Sequence, residues 1–185
     1  MLESLLLQRS SSVLDKWFDA VLGTYPPDTK RFLKKQKDRF ANPVGTTLFK
    51  EMESLYQELL RGEDRKNSFA ILDRIIRIRA VQDFSPSEAV GFLFSLKAII
   101  RSELESEIRE NDLNEELSRL EDRVDDLILL AFDIYMKCRE KVFEIRVSEA
   151  KNHVSRLLRK AELICEIPEE GADRNHEDGN PIHKP

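Results

Sequence analysis

Three arginines and an amide fall within nine residues at Arg74, Arg77, Arg79 and Gln82. A guanidinium carries five N–H donors in a rigid fork and stays protonated, so such a cluster binds carboxylates, small anions or polar molecules. On a helix, positions 74, 77 and 78 share one face and 75, 79 and 82 another, so Arg77 and Arg79 point in different directions. Two readings follow. In the first, one arginine is solvated and another pairs with a carboxylate on a later helix, with Asp133 as the expected partner. In the second, Arg77 or Arg79 joins Lys97 and Arg101 to line a pocket for an anion or a polar small molecule, with Gln82 beside it.

A second dense stretch is "LLAFDIYMKCREKVFEIRVSE", residues 129–149. Ala131, Tyr135, Cys138, Val142 and Ile145 form one stripe at helical spacing, and Phe132, Met136, Arg139, Phe143 and Arg146 form another beside it. Two adjacent stripes imply a helix packed against more than one neighbour. Asp133, Tyr135, Arg139 and Arg146 lie in or beside this surface, and any of the charges that is buried needs a partner.

Catalytic chemistry has little support. Nucleophilic systems need a histidine inside the fold, and only His153 qualifies, because His176 and His183 fall in a polar tail. Cys138 and Cys165 have neither metal-ligand nor disulfide-framework spacing, and Cys138 reads as a small buried hydrophobe. No phosphate-binding glycine loop occurs, and His153 near the end of the last long helix is a poor haem ligand. No catalytic residue, metal or cofactor is expected.

The elements that must position these residues are helices. Val13, Trp17, Ala20 and Val21 make an apolar stripe that stops at Gly23. A short helical turn from Pro27 is expected to carry Phe32 and Leu33 inward. Asn42-Pro43 reads as an N-cap followed by proline at the first helical position, and Gly62 as the stop of that helix. Asp64 opens the next helix, with Phe69, Leu72, Ile75, Ile76 and Ile78 facing the core, ending near Phe84. Ser85-Pro86-Ser87-Glu88 is a capping box with proline at the first position. Nine of the twelve residues from Ala89 to Ile100 are apolar, so the helix over 86 to about 104 is expected at the centre of the fold, with Gly91 allowing close approach of another backbone.

Asn111-Asp112 reads as a break, with Asp112 as cap and Glu115 three residues on. From Leu113 to about Leu163 there is neither glycine nor proline, so one very long helix must kink or project, and a projecting helix wants a partner. The reading is an all-α, single-domain helical bundle over 1–167, followed by a disordered acidic tail over 168–185.

The formal net charge is −5. Residues 28–39 hold six bases and two acids, whereas 103–126 hold eleven acids and three bases. The balance gives no support for nucleic-acid binding. The basic segment reads as a solvated helix face or as a surface that docks on the acidic 103–126 region within a dimer. No apolar run is long enough to span a membrane, and "MLESLLLQRSSS" lacks the pattern of a secretory signal, so a cytoplasmic location is expected.

Three segments, "YPPDTKRFLKKQKDRFANPVG", "IIRIRAVQDFSPSEAVGFLFSLKAIIR" and "LLAFDIYMKCREKVFEIRVSEAK", resemble the RsbRD N-terminal domain family, the input domains of RsbT co-antagonist proteins in bacterial stress signalling. The likeness runs from about Leu14 to Leu163. It implies an all-helical sensory or regulatory module related to non-haem, globin-like input domains, without known enzymatic activity or a settled ligand. In co-antagonist proteins a STAS output domain follows, and none follows in these residues. Stand-alone relatives occur in anaerobic, sulfate-reducing bacteria, which implies a regulatory or redox-related protein partner. The expected function is a non-enzymatic input module acting through helix packing, as a homodimer. The alternative is a structural adaptor that dimerises or docks through its long C-terminal helix.

Overall fold

The computed structural model describes residues 1–35, 40–62, 65–82 and 84–161. Within them are eight α-helices and no strand: α1 (Leu2–Gln8), α2 (Ser10–Leu22), α3 (Pro27–Lys35), α4 (Pro43–Arg61), α5 (Arg65–Val81), α6 (Pro86–Glu103), α7 (Glu105–Glu110) and α8 (Asn114–Lys160). The chain divides into two units, Met1–Ile145 and Arg146–Pro185. The described part of the second unit is helical and mostly exposed, with Val154 and Leu157 among its exposed apolar side chains.

Helix boundaries follow local chemistry. Asn42 caps α4, accepting from the Gly45 amide, and Pro43 follows where its missing N–H costs no bond. Gly62 ends α4 at φ 72°, a left-handed conformation that glycine adopts without a Cβ penalty. Ser85 and Glu88 form the full capping box of α6, each side chain bonding the other's backbone N–H. The expected cap at Asp112 is not made. Asp112 instead turns the chain at φ 51°, Leu113 is buried, and α8 begins at Asn114. The proposed start at Asp64 and the boundary at 167 lie outside the described residues.

The first unit holds the core, and Trp17 and α6 lie within it. The Trp17 side chain is fully buried, its ring stacked on Phe92 at 5.8 Å, and its indole N–H donates to the Phe92 carbonyl at 2.6 Å. Burying a ring of that size contributes about 2–3 kcal/mol, provided its N–H finds an acceptor. α1, which the leucine patch near the N-terminus did not announce as a helix, buries Leu2 and Leu6.

α6 and α8 run antiparallel along one seam. Arg101 pairs with Glu121 at 2.6 Å, and Lys97, one turn earlier, pairs with Asp125, one turn later, at 3.0 Å. Of the basic segment, Lys34 of α3 pairs with Asp19 of α2, and Arg31 lies near Asp28 of its own helix.

Several expectations are corrected. Leu33 is buried but Phe32 is half exposed, because α3 turns only one apolar row inward. Phe69 and Phe94 are also exposed, so α5 and α6 each keep a solvent-facing side. A Cβ at Gly91 would meet nothing within 4 Å, so no backbone approaches there. The stripe carrying Phe132, Met136 and Phe143 is exposed rather than packed on a second neighbour.

Candidate functional site

The corner between α5 and α6 gathers most of the chemistry. Arg79, in the last turn of α5, is completely buried. Its Nε–H donates to the Ala89 carbonyl at 3.2 Å, and its Nη2 donates to the Glu88 carbonyl at 2.8 Å and to the Thr24 hydroxyl at 3.0 Å. Thr24 is oriented for this by donating its own hydroxyl proton to the Val21 carbonyl at 2.7 Å. The guanidinium is walled by the rings of Phe84, Tyr25 and Phe92, at 4.3, 5.8 and 5.9 Å. Among the described residues no carboxylate pairs with it, and its Nη1 is buried with no acceptor among them.

This is an expensive arrangement. A cation removed from water needs an anion or several well-placed dipoles, and here carbonyls, a hydroxyl and aromatic faces substitute for the anion. Burial pulls the Arg79 pKa below the ordinary arginine value, with Tyr25 and Glu88 pulling it back up. Burial also raises the Tyr25 phenol above its usual value, against the lowering effect of Arg79. Glu88, whose backbone carbonyl Arg79 contacts, commits its carboxylate to Ser85, whose hydroxyl and backbone N–H hold its pKa below the usual glutamate range.

Two other elements hold the same corner. From the turn between α2 and α3, Tyr25 donates its hydroxyl to Gln82 Oε1 at 2.8 Å and sets its ring edge-to-face on Phe84 at 5.0 Å. From α8, Tyr135 donates to the Phe84 carbonyl at 2.5 Å and Arg139 to the Ala80 carbonyl at 3.3 Å. The last carbonyls of a helix have no partner within it, so Arg139 serves as a cationic cap for α5. Cys138 lies half buried on the same turn of α8, its thiol pKa raised by burial.

The sequence candidates therefore separate. Arg79, Gln82, Tyr135 and Arg139 come together at the corner. Arg77 does not join them: it faces out and pairs with Asp73 one turn back at 2.6 Å, while Arg74 pairs with Glu51 at 2.8 Å. Lys97 and Arg101 are occupied on the α6–α8 seam, so the expected basic pocket of Arg77 or Arg79 with Lys97 and Arg101 is not formed. Asp133 is exposed and takes none of the three arginines, because local acids and backbone carbonyls reach them first. Arg146 is exposed in the second unit. Sequence reading missed Thr24, Tyr25, Phe84 and Phe92. An aromatic beside a proline turn, as in "TYPPD", was the signal available for Tyr25.

Residues 11–150 match the family described as the RsbT co-antagonist protein rsbRD N-terminal domain. The chain belongs to that family. The match takes in α2 through most of α8, so the RsbRD N-terminal domain includes the corner and every residue that holds it. An uncharacterized protein of Archaeoglobus fulgidus is 27% identical over 142 residues, 74% of this chain and 82% of that protein. No solved structure gives a significant match. No helix among the described residues is long and apolar enough to cross a membrane, and no group of three or more His, Cys, Asp or Glu side chains there could hold a metal ion.

Proposed function

We propose that this RsbRD N-terminal domain is a non-enzymatic signal-input module of cytoplasmic stress signalling that works as a homodimer, with the α5–α6 corner as its movable joint and α8 as its output. One observation carries the reading: the same two turns of α8 serve both ends of that path. Tyr135 and Arg139 bond the corner on the inner side, while Phe132 and Met136 stand outward, 44% and 41% exposed, in line with Leu129 and Phe143. A contiguous apolar row on a helix calls for a partner surface, and a second copy offers the same row. A change at the corner would turn or shift this row and alter dimer packing or the docking of a regulatory protein.

Sedimentation equilibrium tests the reading. The wild type should be dimeric, and Phe132→Glu or Met136→Glu should give monomers with unchanged helical circular dichroism. A monomeric wild type sinks the proposal. The rival adaptor reading makes the corner inert, so a dimer constant unmoved by Arg79→Met would favour it.

A further inference from the structure

A second concave site lies away from the corner, in the angle of α2, α3 and α4. Its volume is about 650 Å³, within the range of roughly 300–1,000 Å³ usual for small-molecule pockets. Phe18 and Phe49 line it as an edge-to-face pair with centroids 5.2 Å apart, both half buried, and Leu33 adds a buried aliphatic wall. The wall is fixed from behind by Asn42, 2% exposed, which donates to the Leu33 carbonyl and accepts from the Gly45 amide, each at 2.9 Å. A Cβ at residue 45 would lie 2.4 Å from the Asn42 amide nitrogen, so glycine is what lets this strut fold back.

Four charged side chains line the same cavity. Asp19 and Lys34 satisfy each other at 2.7 Å. Asp15, on the same helix as Phe18, and Lys50, next to Phe49 on α4, are left without ion-pair partners among the described residues. A lining that combines an aromatic pair with one carboxylate and one ammonium is complementary to a molecule with a ring, a cation and an anion.

We propose that this cavity binds a small aromatic zwitterion of the amino-acid type, its ring against Phe18 and Phe49, its ammonium toward Asp15 and its carboxylate toward Lys50. Such a ligand leaves the Asp19–Lys34 pair intact and completes both unpaired charges, whereas a purely apolar or singly charged ligand leaves one of them unmatched.

Calorimetric titration of the full chain with L-phenylalanine, 3-phenylpropionate and 2-phenylethylamine decides the matter. Phenylalanine should bind one site per chain, and each singly charged analogue should bind at least roughly tenfold more weakly, the effect of losing one charge-assisted contact. Asp15→Asn should abolish the advantage over 3-phenylpropionate, and Lys50→Met the advantage over 2-phenylethylamine. Both residues are exposed, so neither variant endangers the fold. Absence of saturable phenylalanine binding up to about 10 mM overturns the proposal. So does a loss smaller than about tenfold for either analogue, or either variant leaving its advantage in place. The readout is binding alone, so it stands or falls independently of dimerisation through α8.

Discussion

The guanidinium carbon of Arg79 lies 4.3 Å from the centre of the Phe84 ring, and Phe84 in turn offers its carbonyl to Tyr135 of α8. A single residue thus supplies a π face to the buried cation and an acceptor to the long helix. Moving Phe84 changes both contacts together. The corner behaves as one unit because its parts share atoms.

Arg79 should be replaceable by an apolar side chain of similar length. The Glu88 and Ala89 carbonyls it contacts lie within α6, where the helix provides their main bonds, so Arg79→Met should stay within about 1 kcal/mol of the wild type. Arg79→Ala leaves a cavity and should lose roughly 2–4 kcal/mol. Arg79→Lys keeps the charge and loses the fork, and should be the worst of the three at roughly 3–5 kcal/mol. Urea unfolding gives the order, and a lysine variant as stable as the methionine variant would contradict it.

Tyr135→Phe removes one hydroxyl bond and should cost about 1 kcal/mol, as should Arg139→Ala. Because both side chains hold the same corner, their effects should couple by more than about 0.5 kcal/mol in a double-mutant cycle. Strictly additive losses would mean that the Ala80 and Phe84 carbonyls are held independently.

Acid should weaken the fold through its carboxylates. Ser85 lowers Glu88, and Lys16 with Ser12 lowers Glu103. Carboxyl groups with lowered folded pKa values contribute stability that is complete above the ordinary glutamate range and is lost as pH falls through the lowered values. Ser85→Ala returns Glu88 toward its unfolded behaviour, so the acid limb of a stability-against-pH curve should flatten. Superimposable acid limbs for variant and wild type would remove the capping box from that account.

The helical architecture was legible wherever neighbours in sequence determine it. Asn42-Pro43, Gly62 and Ser85-Pro86-Ser87-Glu88 each carry their own boundary, because a cap and its partner are at most four residues apart. Spacing alone also required Arg77 and Arg79 to diverge, and they do. Which of the two goes inside was not legible, since the pocket for Arg79 is assembled from Thr24 and Tyr25 on one segment and Ala89 and Phe92 on another, far apart in sequence. The Asp133 pairing failed for a related reason: Asp73, four residues before Arg77, is a nearer carboxylate than any on α8. Stripe periodicity likewise placed Phe132 and Met136 together, but could not say that the row faces solvent.

Trp17 is the only tryptophan in the chain, and its buried ring rests on Phe92, whose own ring stands 5.9 Å from the Arg79 guanidinium. Indole emission depends on nearby charge and on the bond its N–H makes. The wild-type chain therefore carries an intrinsic fluorophore one aromatic ring removed from its buried cation, so the state of the corner has an optical signature without any label attached.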